Sequence, residues 1–252
     1  GDMFACALLD DASLKCFGSG ASGRLGTGDE TTIGEHPFID DMGDNLAALD
    51  FGTGLTVRTV ALGTNHACVI LSNSALKCWG SNEYGQLGYG NTQNYGDAPD
   101  EMGDNLPTVD LGTGRTAVAL SLNDTHTCAL LDNATVKCWG FGFSGQLGTE
   151  SEVIIGDGPG EMGDNLPAIN LGTGLTVKQI TTGDAQTCVL LNTDAIKCFG
   201  YGGEGALGYG DTTRRGAEPG EMGDNLPAYA ADPSTGIATM TPTRTTTRTP
   251  TP

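Results

Sequence analysis

An all-β, propeller-like array of four repeats of about 60 residues is the fold class that this 252-residue sequence predicts, and three observations predict it. The string Met-Gly-Asp-Asn-Leu begins at Met42, Met102, Met162 and Met222, sixty residues apart each time. Self-similarity at such a period marks architectures whose units each bury an apolar face on a neighbour. The eight cysteines keep the same register, as Cys6 and Cys16, Cys68 and Cys78, Cys128 and Cys138, Cys188 and Cys198, each pair enclosing nine residues. No window sustains a 3.6-residue apolar period, whereas 40 glycines supply turns at positive φ. The units run near 1–54, 55–114, 115–174 and 175–233, and residues 234–252 form an irregular Thr/Pro-rich tail.

The fourth unit shows the elements in order. After the Gly172-Thr-Gly174 turn, Leu175 to Ile180 alternates apolar and polar residues, the pattern of a half-buried strand. Cys188 to Leu191 and Ile196 to Phe199 are short β-rich runs separated by Asn192-Thr-Asp-Ala195, a turn-forming set. Leu166 to Leu171 is a candidate fourth strand. Trp79 and Trp139 occupy the position held by Phe17 and Phe199 in the other units, which reads as packing.

Charge narrows the partners. Twelve Lys and Arg stand against 31 Asp and Glu, a formal net charge of −19. Binding a phosphate backbone depends on cations displacing counterions, so nucleic acid and anionic membranes are excluded as expected partners. No run of 18 apolar residues exists, so no membrane insertion through a helix is expected. The chain opens at Gly1 without a basic and apolar leader and reads as a processed form or a fragment.

The segment Gly80-Ser-Asn82-Glu-Tyr-Gly85-Gln86-Leu87-Gly88-Tyr-Gly90 resembles the signature of the regulator of chromosome condensation repeat, a propeller-blade family. The other copies are looser, with Arg24 or Ala206 at the Gln position and Glu150 where the pattern has Gly. His66 and His126, just before their cysteines, match the family's usual blade position, with Gln186 there in the fourth copy. The resemblance covers about residues 1–230 and implies a blade fold. Family members usually close a ring of seven blades, whereas four units stand here. They host unrelated activities, among them nucleotide exchange on a small GTPase, enzyme inhibition and light sensing, so fold does not give function.

Cysteines that flank a hairpin turn lie opposite each other on neighbouring strands, within disulfide reach. Cys6–Cys16, Cys68–Cys78, Cys128–Cys138 and Cys188–Cys198 are the economical set, the alternative being buried thiols in a reducing compartment. Zinc is disfavoured, because a nine-residue gap matches none of the usual finger spacings. Disulfides imply an extracellular or cell-surface location. Two N-glycosylation candidates agree with it, Asn123 (Asn-Asp-Thr125) and Asn133 (Asn-Ala-Thr135), the second at a hairpin tip. The tail has the composition of an O-glycosylated stalk, with Thr241, Thr243, Thr245, Thr246, Thr247, Thr249 and Thr251 as candidates.

Little catalytic chemistry is legible. His66 and His126 occupy equivalent repeat positions and read as structural, no Gly-x-Ser-x-Gly occurs, and the glycine-rich stretches open no helix that could receive a phosphate. No cofactor is expected. Asp104, Asp164 and Asp224, recurring in the acidic connections beside Glu101, Glu161 and Glu221, are weak calcium candidates. The first unit lacks the strand that precedes the first cysteine in the others, and Ser234-Thr-Gly236-Ile237 resembles the start of that strand. Ile237, Ala238, Thr239 and Met240 are therefore expected to supply it, within the chain or to a second copy. The function expected is non-enzymatic: a glycosylated extracellular structural protein assembling head to tail with itself into a filament or appendage. A secreted propeller binding a protein or glycan through its variable loops is the alternative, and a nucleotide exchange factor-like regulator stands behind both.

Overall fold

The computed structural model describes residues 1–35, 41–231 and 238–241. The chain is all-β. Among the described residues the first blade holds β1 (Phe4–Leu8) and β2 (Leu14–Gly18) alone. The second holds β3 (Val57–Leu62), β4 (His66–Leu71) and β5 (Leu76–Gly80), and the third β6 (Ala117–Leu122), β7 (His126–Leu131) and β8 (Val136–Gly140). The fourth holds β9 (Val177–Thr182), β10 (Gln186–Leu191) and β11 (Ala195–Gly200), extended by β12 (Ala228–Ala231) and β13 (Ala238–Thr241). Every pairing is antiparallel, and the only helices among the described residues are three-residue 3-10 turns.

Each blade turns between its two cysteine-bearing strands at a residue with positive φ, Ala12, Ser74, Ala134 or Asp194. Each last strand ends on a glycine because the chain turns sharply there. Gly80 has φ +101°, and a side chain on it would lie 2.6 Å from the Asn65 carbonyl oxygen. From Gly80 a long connection leaves, returns to bridge the same glycine at Tyr95, and passes through the Gly103–Asn105 turn to the next blade.

Alternation along the strands sends one set of side chains toward the preceding blade and the other toward the following one. In the second blade Ala67, Val69, Leu71 and Trp79 pack toward the first, while Cys68, Ile70, Leu76 and Cys78 pack toward the third. Apolar cores thus sit at the junctions of blades one with two, two with three and three with four. No core joins the fourth blade back to the first among the described residues. Trp79, Trp139 and Phe199 are fully buried, each against the preceding blade, and the indole N–H groups donate to the carbonyls of Arg24 and Gln86.

All four hairpin pairings of cysteines are disulfides, between directly opposed residues with Cα atoms 4.0–4.1 Å apart. Two expectations need correction. Leu166 to Leu171 is no strand; its backbone bonds to other elements are Ile169 N–H to the Val136 carbonyl, 2.8 Å, and Gly223 N–H to the Asn170 carbonyl, 3.0 Å. The repeat-equivalent Ala228–Ala231 becomes a strand in the fourth unit, where it lies between β11 and β13. Ala238, Thr239 and Met240 do not complete the first blade; they pair with Ala231, Ala230 and Tyr229. A return over a short loop costs far less closure entropy than reaching the first blade across the whole array. Ile237, and Thr243, Thr245, Thr246, Thr247, Thr249 and Thr251, lie outside the described residues, whereas Thr241 ends β13.

Candidate functional site

The residues that looked most chemical are spent on holding blades together. Asp104 accepts the N–H and the hydroxyl of Thr53 at 3.0 and 2.9 Å, one oxygen for each. Asp164 does the same for Thr113, and Asp224 for Thr173. These hydrogen bonds hold all three carboxyl groups below the usual aspartate range. A buried lysine closes each strut: Lys77 Nζ donates to the carbonyls of Phe51 and Gly103 at 2.9 and 2.8 Å, with Lys137 and Lys197 repeating the arrangement. Burial lowers the lysine pKa, and the nearby Asp104 and Asp50 oppose that shift for Lys77. Glu101 Oε2 accepts three N–H groups of residues 96–98. Carboxylates engaged in this way, each beside an ammonium, are turn locks, and the calcium reading of Asp104, Asp164 and Asp224 gives way to that role. Among the described residues no group of three His, Cys, Asp or Glu side chains is placed to hold a metal.

The histidines are structural links as well. Thr127 donates its hydroxyl proton to the Gln86 carbonyl at 2.8 Å, so it accepts from His66 Nε2–H, also at 2.8 Å. His126, Thr187 and the Gln146 carbonyl repeat the chain of bonds one blade on, at 3.2 and 2.9 Å. Burial lowers the pKa of His66 to about 3, helped by the neighbouring His126, and that of His126 to about 4. Both imidazoles are neutral at physiological pH.

Of the two N-glycosylation candidates, Asn133 sits exposed at its hairpin tip, accepting the Thr135 hydroxyl at 2.7 Å. Asn123 is half-buried and directs its amide at Asp184 of the fourth blade, 3.5 Å away.

One surface carries aromatic rings outside the blade cores. On the rim formed by the connections that leave the last strands, the rings of Tyr84 and Phe141 meet edge to face with centroids 5.1 Å apart, and Phe141 contacts Phe143 at 4.8 Å. Phe143 is 49% exposed. Arg214 reaches in from the fourth unit, bonding to the Phe143 carbonyl and pairing with Glu152 and Glu218. Tyr201, equally exposed, stands at the repeat position of Phe141 in the fourth blade. Serine holds that position in the first two blades, as Ser19 and Ser81, and Ala21 is the counterpart of Phe143. The blade fold therefore does not require rings here. Sequence reasoning passed over this cluster, although aromatic residues at serine and alanine positions of a chain with 6% aromatics were the available signal.

Fold and site together define an all-β class: a repeat protein of propeller blades with an aromatic patch on one rim. The chain carries RCC1-type blade repeats in its middle part and resembles the RCC1-like propellers. The description "Regulator of chromosome condensation (RCC1) repeat" matches residues 57–86 and 117–146, and a second form of it matches residues 78–130. Human E3 ubiquitin-protein ligase HERC2 is 28% identical over 211 residues, 83% of this chain and 4% of that protein. The ultraviolet-B receptor UVR8 of Arabidopsis thaliana is 28% identical over 219 residues, 85% of this chain and 43% of the receptor. Among solved structures, human WBSCR16 and Prp20p of Saccharomyces cerevisiae each superpose with a TM-score of 0.59, at 17% and 16% identity. They match over 80% and 86% of this chain and 46% and 48% of their own. The chain thus spans less than half the length of each of these relatives.

Proposed function

We propose that this chain is a non-enzymatic binding module of an oxidising, extracellular or cell-surface setting, and that it takes a cationic protein segment on its aromatic rim. The observation that carries the reading is the Tyr84–Phe141–Phe143 cluster, in which Phe143 is exposed and Tyr84 and Phe141 are half-buried, at positions where other copies of the repeat carry serine or alanine. Four disulfides support the compartment. The histidines and recurring aspartates that a catalyst would draw on are tied into blade-to-blade bonds, which supports a binding role. The rim is acidic, with Glu83 and Glu204 exposed beside Tyr84 and near Tyr201, on a chain of net charge −19. Ring faces attract guanidinium and ammonium groups, and surrounding carboxylates add to that attraction. Prp20p, which shares the fold, is a protein binder with Gsp1p and histones as partners.

The test is selection of a phage-displayed peptide library on the whole chain, followed by titration of winning peptides against wild type, Phe141→Ser and Phe143→Ala. The expected winners carry Arg or Lys, lose at least tenfold in affinity on either variant, and weaken as salt rises. Acidic or uncharged winners, or unchanged affinity on both variants, would overturn the reading. Serine at the Ser81 position shows that the blade tolerates the first substitution.

A further inference from the structure

Over the internal junction between the third and fourth blades, the aromatic rim carries a guanidinium of its own. The connection leaving β11 returns to pair Arg215 with Gly200, N–H to carbonyl in both directions at 2.7 and 3.1 Å. The Glu150 N–H of the third unit donates to the Gly216 carbonyl at 2.9 Å, and the Glu150 carboxylate accepts the N–H groups of Gly220 and Met222. This backbone frame sets Arg214 opposite the third unit's part of the rim. Arg214 Nη1 donates to the Phe143 carbonyl at 3.4 Å. Its Nη2 donates to Glu152 of the third unit and, at 3.5 Å, to Glu218 of its own.

This group departs from the repeat. Thr32, Asn94 and Ile154 hold the position of Arg214 in the other units, and Ala98 and Gly158 hold that of Glu218. Thr92 and Thr212 stand at the position of Glu152, with Glu30 there in the first unit. The blade fold therefore does not depend on this cation. The side chains of Arg214, Glu152 and Glu218 are 44%, 42% and 61% exposed, and ion pairs so open to water are weak and part at little cost.

We propose that Arg214 stands in for the ligand: the rim takes an arginine side chain of a protein partner, whose guanidinium displaces that of Arg214 from Glu152 and Glu218. The exchange rests on the rim binding a cationic segment, as proposed above, and it adds which side chain is recognised and which residue competes with it. A guanidinium is a planar fork with five N–H donors, enough to meet two carboxylates and a carbonyl at once, whereas an ammonium is a point charge. Its flat face also suits the exposed ring of Phe143 beside those carboxylates. Both blades that frame the site belong to this chain, so neither end of the array enters it.

Fluorescence anisotropy on the whole chain tests the exchange, with a labelled peptide of three Arg-Gly-Gly triplets and its Lys-Gly-Gly counterpart as probes. The arginine peptide should bind more tightly than the lysine peptide. Arg214→Asn, which installs the residue of the second unit, should tighten the arginine peptide about fivefold, because two carboxylates lose their internal partner. Arg58→Ala makes the same change of net charge at an exposed site of β3 and should leave the affinity unchanged. Adding Glu152→Gln to Arg214→Asn should cancel the gain. Circular dichroism confirms that each variant folds, and Arg214→Gln replaces Arg214→Asn if that one does not. Looser, unchanged or absent binding of the arginine peptide by Arg214→Asn would overturn the exchange. So would a gain matched by Arg58→Ala, or equal affinity for the lysine peptide. In any of those cases, a loss of affinity in Phe141→Ser and Phe143→Ala would leave the rim standing alone. Insensitivity to both ring variants would remove rim and exchange together.

Discussion

The second and fourth blades carry nearly the same pattern of residues and differ in what surrounds them. In the second, every residue of β4 and β5 is buried. In the fourth, the residues of β10 alternate between buried and half-buried, because among the described residues only one side has a neighbouring blade. Burial here is a property of the junction and not of the blade. Most of the stability should therefore reside in the three internal junctions and little on the outward faces.

The largest test of that contrast compares equivalent rings. Trp139 is fully buried between the second and third blades, and its indole N–H donates to the Gln86 carbonyl at 3.0 Å. Trp139→Ala should cost about 3–5 kcal/mol in urea unfolding, the usual range for emptying a buried aromatic site. Phe17→Ala removes the corresponding ring from an outward face and should cost about 1 kcal/mol, since most transfer free energy is never gained there. Equal losses at micromolar concentration would break the distinction between junction and outward face.

A second contrast lies in the histidine links. Two junctions carry a buried neutral histidine, whereas the fourth blade has Gln186 at that position. The folded pKa values, about 3 for His66 and about 4 for His126, lie below the unfolded value of 6.5. The unfolded chain therefore takes up protons first. The stability these residues lend is complete above pH 6.5 and is lost as pH falls toward 4, at about 1.4 kcal/mol per pH unit for each histidine. Asp104, Asp164 and Asp224 have lowered pKa values and add their own loss only below the ordinary aspartate range near 3.8. Between pH 7 and 5 the fall should thus be a histidine effect of about 2 kcal/mol per residue. Urea midpoints across that range should flatten by one histidine's share in His66→Gln and by both in the double variant with His126→Gln. An unchanged slope in the double variant would rule out the neutral buried state.

How much of this was legible from residues alone follows from what repeats. Hairpins, cysteine pairing and blade order could be read because Cys68 and Cys78 recur with their turn at a fixed register, and the register decides which residues face each other. The roles of Asp104 and Lys77 could not, because Thr53 and Phe51, their partners, lie 51 and 26 residues away and meet them only when one blade packs on the next. Glu150 looked like a departure from the pattern. It takes φ +56° where the other copies have Gly, and its carboxylate accepts the N–H groups of Gly220 and Met222, both at 2.9 Å, from the following unit. Those two bonds offset a backbone cost of about 1–2 kcal/mol for a side chain in the left-handed region. The aromatic rim escaped because a periodic reading looks for what recurs, and Phe141 and Phe143 matter by not recurring.

The smallest expected effect compares hairpin tips. Ala134 holds φ +61° between the paired strands of the third blade, and Asp194 holds φ +63° at the same place in the fourth. An alanine there strains against its own carbonyl, whereas Asp visits this region more readily because its side chain bonds locally. Asp194 also accepts an ion pair from Lys178 at 2.6 Å, well exposed and therefore weak. Ala134→Gly should relieve the strain and lose part of that gain to the greater freedom of glycine in the unfolded chain, a net stabilisation of about 0.5–1 kcal/mol. Asp194→Gly should be neutral or slightly destabilising, since it has less strain to relieve and gives up the pair. Thermal unfolding of both variants beside wild type reads the difference directly. A gain at Asp194 equal to that at Ala134 would show that the turn, and not its residue, sets the strain in both blades.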